Sequence, residues 1–169
     1  MMKRVLLFGL LVISFSSRLA SGEENCNALV TAAAHCDQNA IKILLDAGTS
    51  PNCRADANHN LPGSTAPWSY LSSKCQEGVK TLKIFISKGY DVNLQNRTPG
   101  NKPASTSLHA AAIVGNIEAV QTLLDHGADP TIKDQDNMTA LDYAVRFEHS
   151  SLVALLASHR NGLRRKGGP

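Results

Sequence analysis

The chain lacks the short motifs that mark the common enzyme classes. It has no GxSxG, which carries a nucleophilic serine, and no P-loop, which cradles phosphates. It has neither the HExxH of zinc peptidases nor the CxxC of thiol redox and zinc sites. No apolar stretch spans a bilayer comfortably: the run from Val5 to Phe15 is too short, and Arg18 interrupts its far end. A strong charge of one sign is missing too. The full chain carries 17 Lys and Arg against 14 Asp and Glu, and three of the cations, Lys3, Arg4 and Arg18, lie before residue 23. The remainder balances, with Arg164, Arg165 and Lys166 at its very end. A body that is mildly acidic without that end excludes a general nucleic-acid binder, which needs a basic face.

What is present begins with a secretory signal. Lys3 and Arg4 give the positive start, Val5 to Phe15 the apolar core, and Ala20-Ser21-Gly22 the small residues of a cleavage site. Residues 1–22 are therefore read as a signal peptide cleaved near Gly22. The mature chain is expected in the periplasm or secreted, with no stable membrane anchor.

Four cysteines, Cys26, Cys36, Cys53 and Cys75, all fall in the first half of that mature chain. An even number in an exported chain points to two disulfides. Their spacings of ten, seventeen and twenty-two leave no close pair for a metal, and neither metal nor cofactor is expected. The six histidines, His35, His59, His109, His126, His149 and His159, form no catalytic constellation. His35 beside Cys36 suggests an activated thiol, but a disulfide removes it. No catalytic residue is assigned, and an enzyme is not expected.

Three stretches end alike: AIKILLDAGTSPN (Ala40 to Asn52), TLKIFISKGYDVN (Thr81 to Asn93) and AVQTLLDHGADPT (Ala119 to Thr131). Each is an apolar helix followed by Gly and a polar turn. Gly48, Gly89 and Gly127 fit left-handed helix ends. A degenerate fourth copy is LVALLASHRNG (Leu152 to Gly162). A shorter helix precedes each, clearest in TSLHAAAIVGN (Thr106 to Asn116), where Thr106 caps and three alanines make a thin face. The interval from Thr106 to Thr139 is thirty-three residues.

TSLHAAAIVGNIEAVQTLLDHGADP resembles the ankyrin repeat, whose pattern is Thr-Pro-Leu-His-x-Ala-Ala, Gly, Val-Val-x-x-Leu-Leu and Gly-Ala-Asp. DQDNMTALDYA resembles the link into the next copy, with Asn137 where Gly is usual. The resemblance covers Cys26 to about Arg160 and is weakest in the second copy. It implies an all-α solenoid of four helix-turn-helix repeats, over about 26–65, 66–105, 106–138 and 139–160, inside a domain of residues 23–160. Neither helix of a pair can bury its apolar face alone, so the core becomes continuous only along the stack. The resemblance gives His109 a structural role, hydrogen-bonding between neighbouring loops. NGLRRKGGP (161–169) is read as a disordered basic tail.

Copies one and two are longer than the last interval. The excess falls in CRADANHNLPGST (Cys53 to Thr65) and QNRTPGNKPAST (Gln95 to Thr106), polar fingers that should be exposed. Trp68 and Tyr70 replace usual small residues, either to fill the core of a distorted repeat or to anchor a partner. Asn96 and Asn137 begin glycosylation sequons. By repeat register, Cys36 and Cys75 occupy the turns between the helices of copies one and two. Cys26 precedes the first helix and Cys53 begins the first finger. The favoured pairing is Cys26–Cys53 with Cys36–Cys75. Cys26–Cys36 is awkward because a helix of roughly 12 Å separates them. Three connectivities remain open from sequence alone.

Exposure logic places partner contacts at Arg54, Asp56, His59, Asn60, Trp68, Tyr70, Asn96, Arg97, Lys102, Ile113 and Asp136, on the fingers and the first helices. The partner is expected to be another protein, with the chain monomeric alone. For exported ankyrin proteins the resemblance offers an immunity role, neutralising a toxic hydrolase such as a type VI secretion effector. It also offers a stress accessory associated with periplasmic catalase, or a secreted effector binding host proteins.

Overall fold

The computed structural model describes residues 22–55, 64–73, 75, 78–97 and 104–166. The expected signal segment, except Gly22, lies outside the described residues.

Eight helices occur among the described residues, in four antiparallel pairs. They are α1 (Gly22–Ala34) with α2 (Gln38–Asp46), and α3 (Ala66–Ser72) with α4 (Gly78–Ser87). The others are α5 (Ser107–Val114) with α6 (Ile117–Asp125), and α7 (Ala140–Arg146) with α8 (Ser150–Lys166). The first members α1, α3, α5 and α7 pack side by side as an inner row, and α2, α4, α6 and α8 form an outer row. Two outer helices, α2 and α6, start where a short polar side chain takes an orphan amide. Asp37 accepts from Ala40 N at 3.0 Å, and Asn116 from Ala119 N at 2.9 Å. After α2, α4 and α6 come Gly48, Gly89 and Gly127, all with φ near +90°.

Leu29, Val30 and Ile41 of the first pair, Tyr70, Leu82 and Phe85 of the second, Leu108 and Leu123 of the third, and Leu152 and Leu156 of the last are all buried in one cluster. A core that runs through all four pairs is what single pairs lack. Polar ladders reinforce it. Asn52 donates from Nδ2 to Gly89 O at 2.9 Å and accepts from Asp91 N at 2.7 Å. Asn93, one repeat later, does the same to Gly127 O at 3.1 Å and Asp129 N at 2.8 Å. At the next copy Thr131 turns back on its own loop and donates to Asp129 Oδ1.

Both favoured disulfides are formed. Cys26–Cys53 has its Cα atoms 5.8 Å apart, and Cys36–Cys75 5.6 Å. The first joins α1 to the base of the first finger, and the second joins the turns of repeats one and two. The tail expected to be disordered is helical as far as Lys166, and residues 167–169 lie outside the described residues. Helix α8 continues through Asn161 and Gly162 to Lys166, so Gly162 lies within the helix, at a propensity cost of about 1 kcal/mol, rather than ending it. Among the described residues, no helix is long and apolar enough to cross a membrane.

Candidate partner-binding site

The described ends of the two long finger segments pair as short hairpin bases. In the first, Arg54 pairs antiparallel with Thr65, and Ala55 N donates to Ser64 O at 2.9 Å. In the second, Asn96 N donates to Ser105 O at 3.0 Å and Ala104 N to Asn96 O at 2.9 Å. Neighbouring bases are tied together. Arg54 donates from Nε to Gln95 O at 2.9 Å, and Gln95 in turn donates to Lys133 O at 3.1 Å. Arg54, Gln95 and Lys133 hold the same place in successive repeats, so the bases form one connected edge beside the inner helices.

The contact residues expected from sequence separate into three groups. Asp56, His59, Asn60 and Lys102 lie outside the described residues. Arg54, Arg97, Trp68 and Ile113 are half-buried, and Asp136 is exposed. Burial, and then the nearby Arg97 charge, press the Arg54 guanidinium below its ordinary pKa. Tyr70 and Asn96 do not belong to a contact surface. Tyr70 is 1% exposed, its ring within the core and its hydroxyl accepting from Gln38 at 3.4 Å. Asn96 is 5% exposed, and its Oδ1 accepts from Thr65 N at 2.9 Å. It therefore locks the second finger to the first, and its amide is not presented for glycosylation. Asn137, at φ +61°, takes the left-handed turn that its repeat position demands. Trp68 stands in the register of His109, counted from the caps Thr65 and Thr106, and its indole N–H is buried without an acceptor.

His109 is buried and holds two repeats together. Its Nδ1 accepts from Thr106 N at 3.1 Å, and its Nε2 reaches Met138 O at 3.1 Å. With Nδ1 accepting, the proton sits on Nε2 and donates to Met138, which is the neutral ring. Burial lowers its pKa below the ordinary 6.5, against the pull of the Met138 carbonyl. Below that ordinary value the unfolded chain takes up a proton that the folded chain refuses. The stabilisation is therefore complete above about pH 6.5 and is lost as pH falls through the folded value. The urea midpoint should drop between about pH 7.5 and about pH 5, and the drop should shrink in His109→Gln. An identical pH slope in that variant would remove His109 as its source.

Sequence reasoning missed Gln95, the asparagine ladder and a row of rings on the fourth repeat. The ladder had a legible signal, since Asn52 and Asn93 recur at the same place after equivalent glycines. The rings had none at the level of repeats. His109 meets Tyr143 edge-on with centroids 5.9 Å apart. Tyr143 and Phe147 lie near-parallel at 6.4 Å, as do Phe147 and His149. No group of three His, Cys, Asp or Glu among the described residues is arranged to hold a metal.

Residues 70–165 match the family described as ankyrin repeats (3 copies). Mitochondrial disaggregase of Bos taurus is 27% identical over 126 residues, which are 75% of this chain and 17% of that protein. An ankyrin repeat protein of Acanthamoeba polyphaga mimivirus is 30% identical over 112 residues, 66% of this chain and 64% of the relative. Rabankyrin-5 of Mus musculus is 36% identical over 89 residues, 48% of this chain and 8% of the relative. The chain thus spans less than two thirds of each of these relatives.

Proposed function

The chain belongs to the ankyrin-repeat family, a protein-binding architecture, and from that premise we propose that it is an exported binder that neutralises a partner protein through its fingers and inner helices. The compartment proposed is the periplasm. The role proposed is immunity: occupying the active site of a toxic hydrolase delivered by another cell, such as a type VI secretion effector. The observation that carries this reading is the Cys26–Cys53 link, which fastens the base of the first finger to α1. A disulfide persists in an oxidising compartment and is reduced in a reducing one. Linked finger bases also lower the entropy lost on binding, which favours tight inhibition.

The test is capture from periplasmic extract and culture supernatant with the oxidised chain as bait. A control bait has both fingers shortened to ordinary ankyrin length. The proposal expects one enriched hydrolase, inhibited one-to-one and lost with the control. Equal capture by both baits, or capture of a protein whose activity is unchanged, would overturn it.

A further inference from the structure

We propose that the ring row on the fourth repeat is an arginine-recognition site for the partner, built from Tyr143, Phe147 and His149 within a field of carboxylates. The inference rests on the binding role above and names the chemistry of one contact.

Among the described residues, four large hydrophobics are strongly exposed, and Phe147 is the only aromatic one. It is 46% exposed, although folding ordinarily hides a phenyl ring. It is not an isolated surface residue. Tyr143 and His149 flank it with their planes tilted from its own by 14° and 26°. Both neighbours are fixed. The Tyr143 hydroxyl donates to Asp134 Oδ2 at 2.6 Å, and His149 Nε2 donates to Ile113 O at 3.1 Å. Phe147 therefore sits between two anchored rings, and the near-parallel faces form a shelf that needs no rearrangement to receive a flat group.

The charges around the shelf select that group. Burial first, and then the neighbouring Asp134 and Asp136, push the Tyr143 hydroxyl up, while Arg146 opposes them. Asp134 and Asp136 against the one guanidinium of Arg146 leave the Tyr143 end of the shelf negative. A cation within about 6 Å of a ring centroid gains from the ring face, and a planar guanidinium stacks there better than an ammonium. An apolar helix would gain nothing from the carboxylates, and an acidic segment would be repelled. The occupant that fits both the rings and the field is an arginine side chain of the partner.

The experiment titrates a tetra-arginine amide into the full isotope-labelled, oxidised chain and follows backbone and ring NMR signals. The comparison peptide is tetra-citrulline amide, which keeps the planar shape and removes the charge. Saturable shifts centred on Tyr143, Phe147 and His149 are expected, with citrulline about fivefold weaker or worse. Phe147→Leu, which keeps an apolar group on the surface, should weaken the arginine peptide by about fivefold with unchanged thermal unfolding. Equal binding of both peptides would make the shelf an apolar dock. Shifts spread over the acidic residues but absent from the rings, or no shifts at all, would remove the site. A captured hydrolase together with a silent peptide would remove the arginine site and leave the binding role. A binding peptide with no captured hydrolase would do the reverse.

Discussion

Removing the Cys36–Cys75 disulfide, as Cys36→Ser with Cys75→Ser, should cost the first two repeats about 4 kcal/mol and leave the last two folded. The magnitude follows from the loop it closes, 39 residues in sequence, which a disulfide keeps from expanding in the unfolded chain. The Cys26–Cys53 loop, 27 residues, predicts about 3.5 kcal/mol by the same reasoning. The two loops overlap, so the losses should not add. The asymmetry between halves has a local cause. The third and fourth repeats carry reciprocal caps, Thr106 with His109 and Thr139 with Asp142. In repeat two Thr65 makes no side-chain cap bond, and Trp68 stands where His109 would. The covalent links hold the end where these polar links are missing. Hydrogen exchange should show protection lost from α1 to α4 in the serine variant and kept in α5 to α7. Uniform loss across all four pairs would mean that the solenoid unfolds as one unit and that the disulfides do not divide it.

Gly115→Ala should destabilise by about 3 kcal/mol, whereas Gly48→Ala should cost only about 1 kcal/mol. Both glycines have positive φ, +81° and +92°. The difference is space. A Cβ at Gly48 meets nothing within 4 Å, while at Gly115 it falls 2.7 Å from His149 Cε1 and 2.9 Å from both ring nitrogens. The ring cannot swing away without losing its bond to Ile113 O. His149→Ala should therefore recover part of the Gly115→Ala loss in a double-mutant cycle, read by denaturant midpoints. Equal losses at Gly48 and Gly115, with no coupling to His149, would contradict this packing. The register equivalents Cys36 and Glu148 take φ +59° without glycine, so the conformation alone does not require glycine at this turn. At position 115 the close approach of His149 does.

Much of this was legible because repeats write themselves locally. Gly48, Gly89 and Gly127 announce the helix ends, and Asn137 announces a left-handed turn. Register favoured the cysteine pairing once the two turns were matched, while the sequence left the other connectivities open. The misplaced residues share one property: their partners lie in another repeat. Asn96 sits in a polar finger and reads as exposed. It is buried because Thr65 N, 31 residues earlier, needs an acceptor. Tyr70 reads as an anchor because small residues usually hold that place. It is buried because it sits in the core between repeats, where its hydroxyl accepts from Gln38 of the first repeat. The ring row was invisible for the same reason, since its rings come from the start of α5, from α7 and from the turn after it, and only stacking aligns them. Asn161-Gly162 reads as a stop, yet the helix ahead of it carries through.

The central claim is that binding uses the edge formed by the finger bases and inner helices. Hydrogen exchange on the oxidised chain, alone and saturated with its captured partner, tests it most directly. The account predicts new protection at 54–55, 64–65, 96–97 and 104–106 and along α7, with α2 and α6 unchanged. Protection confined to the outer helices, around the exposed Ile43 and Ile117, would contradict it.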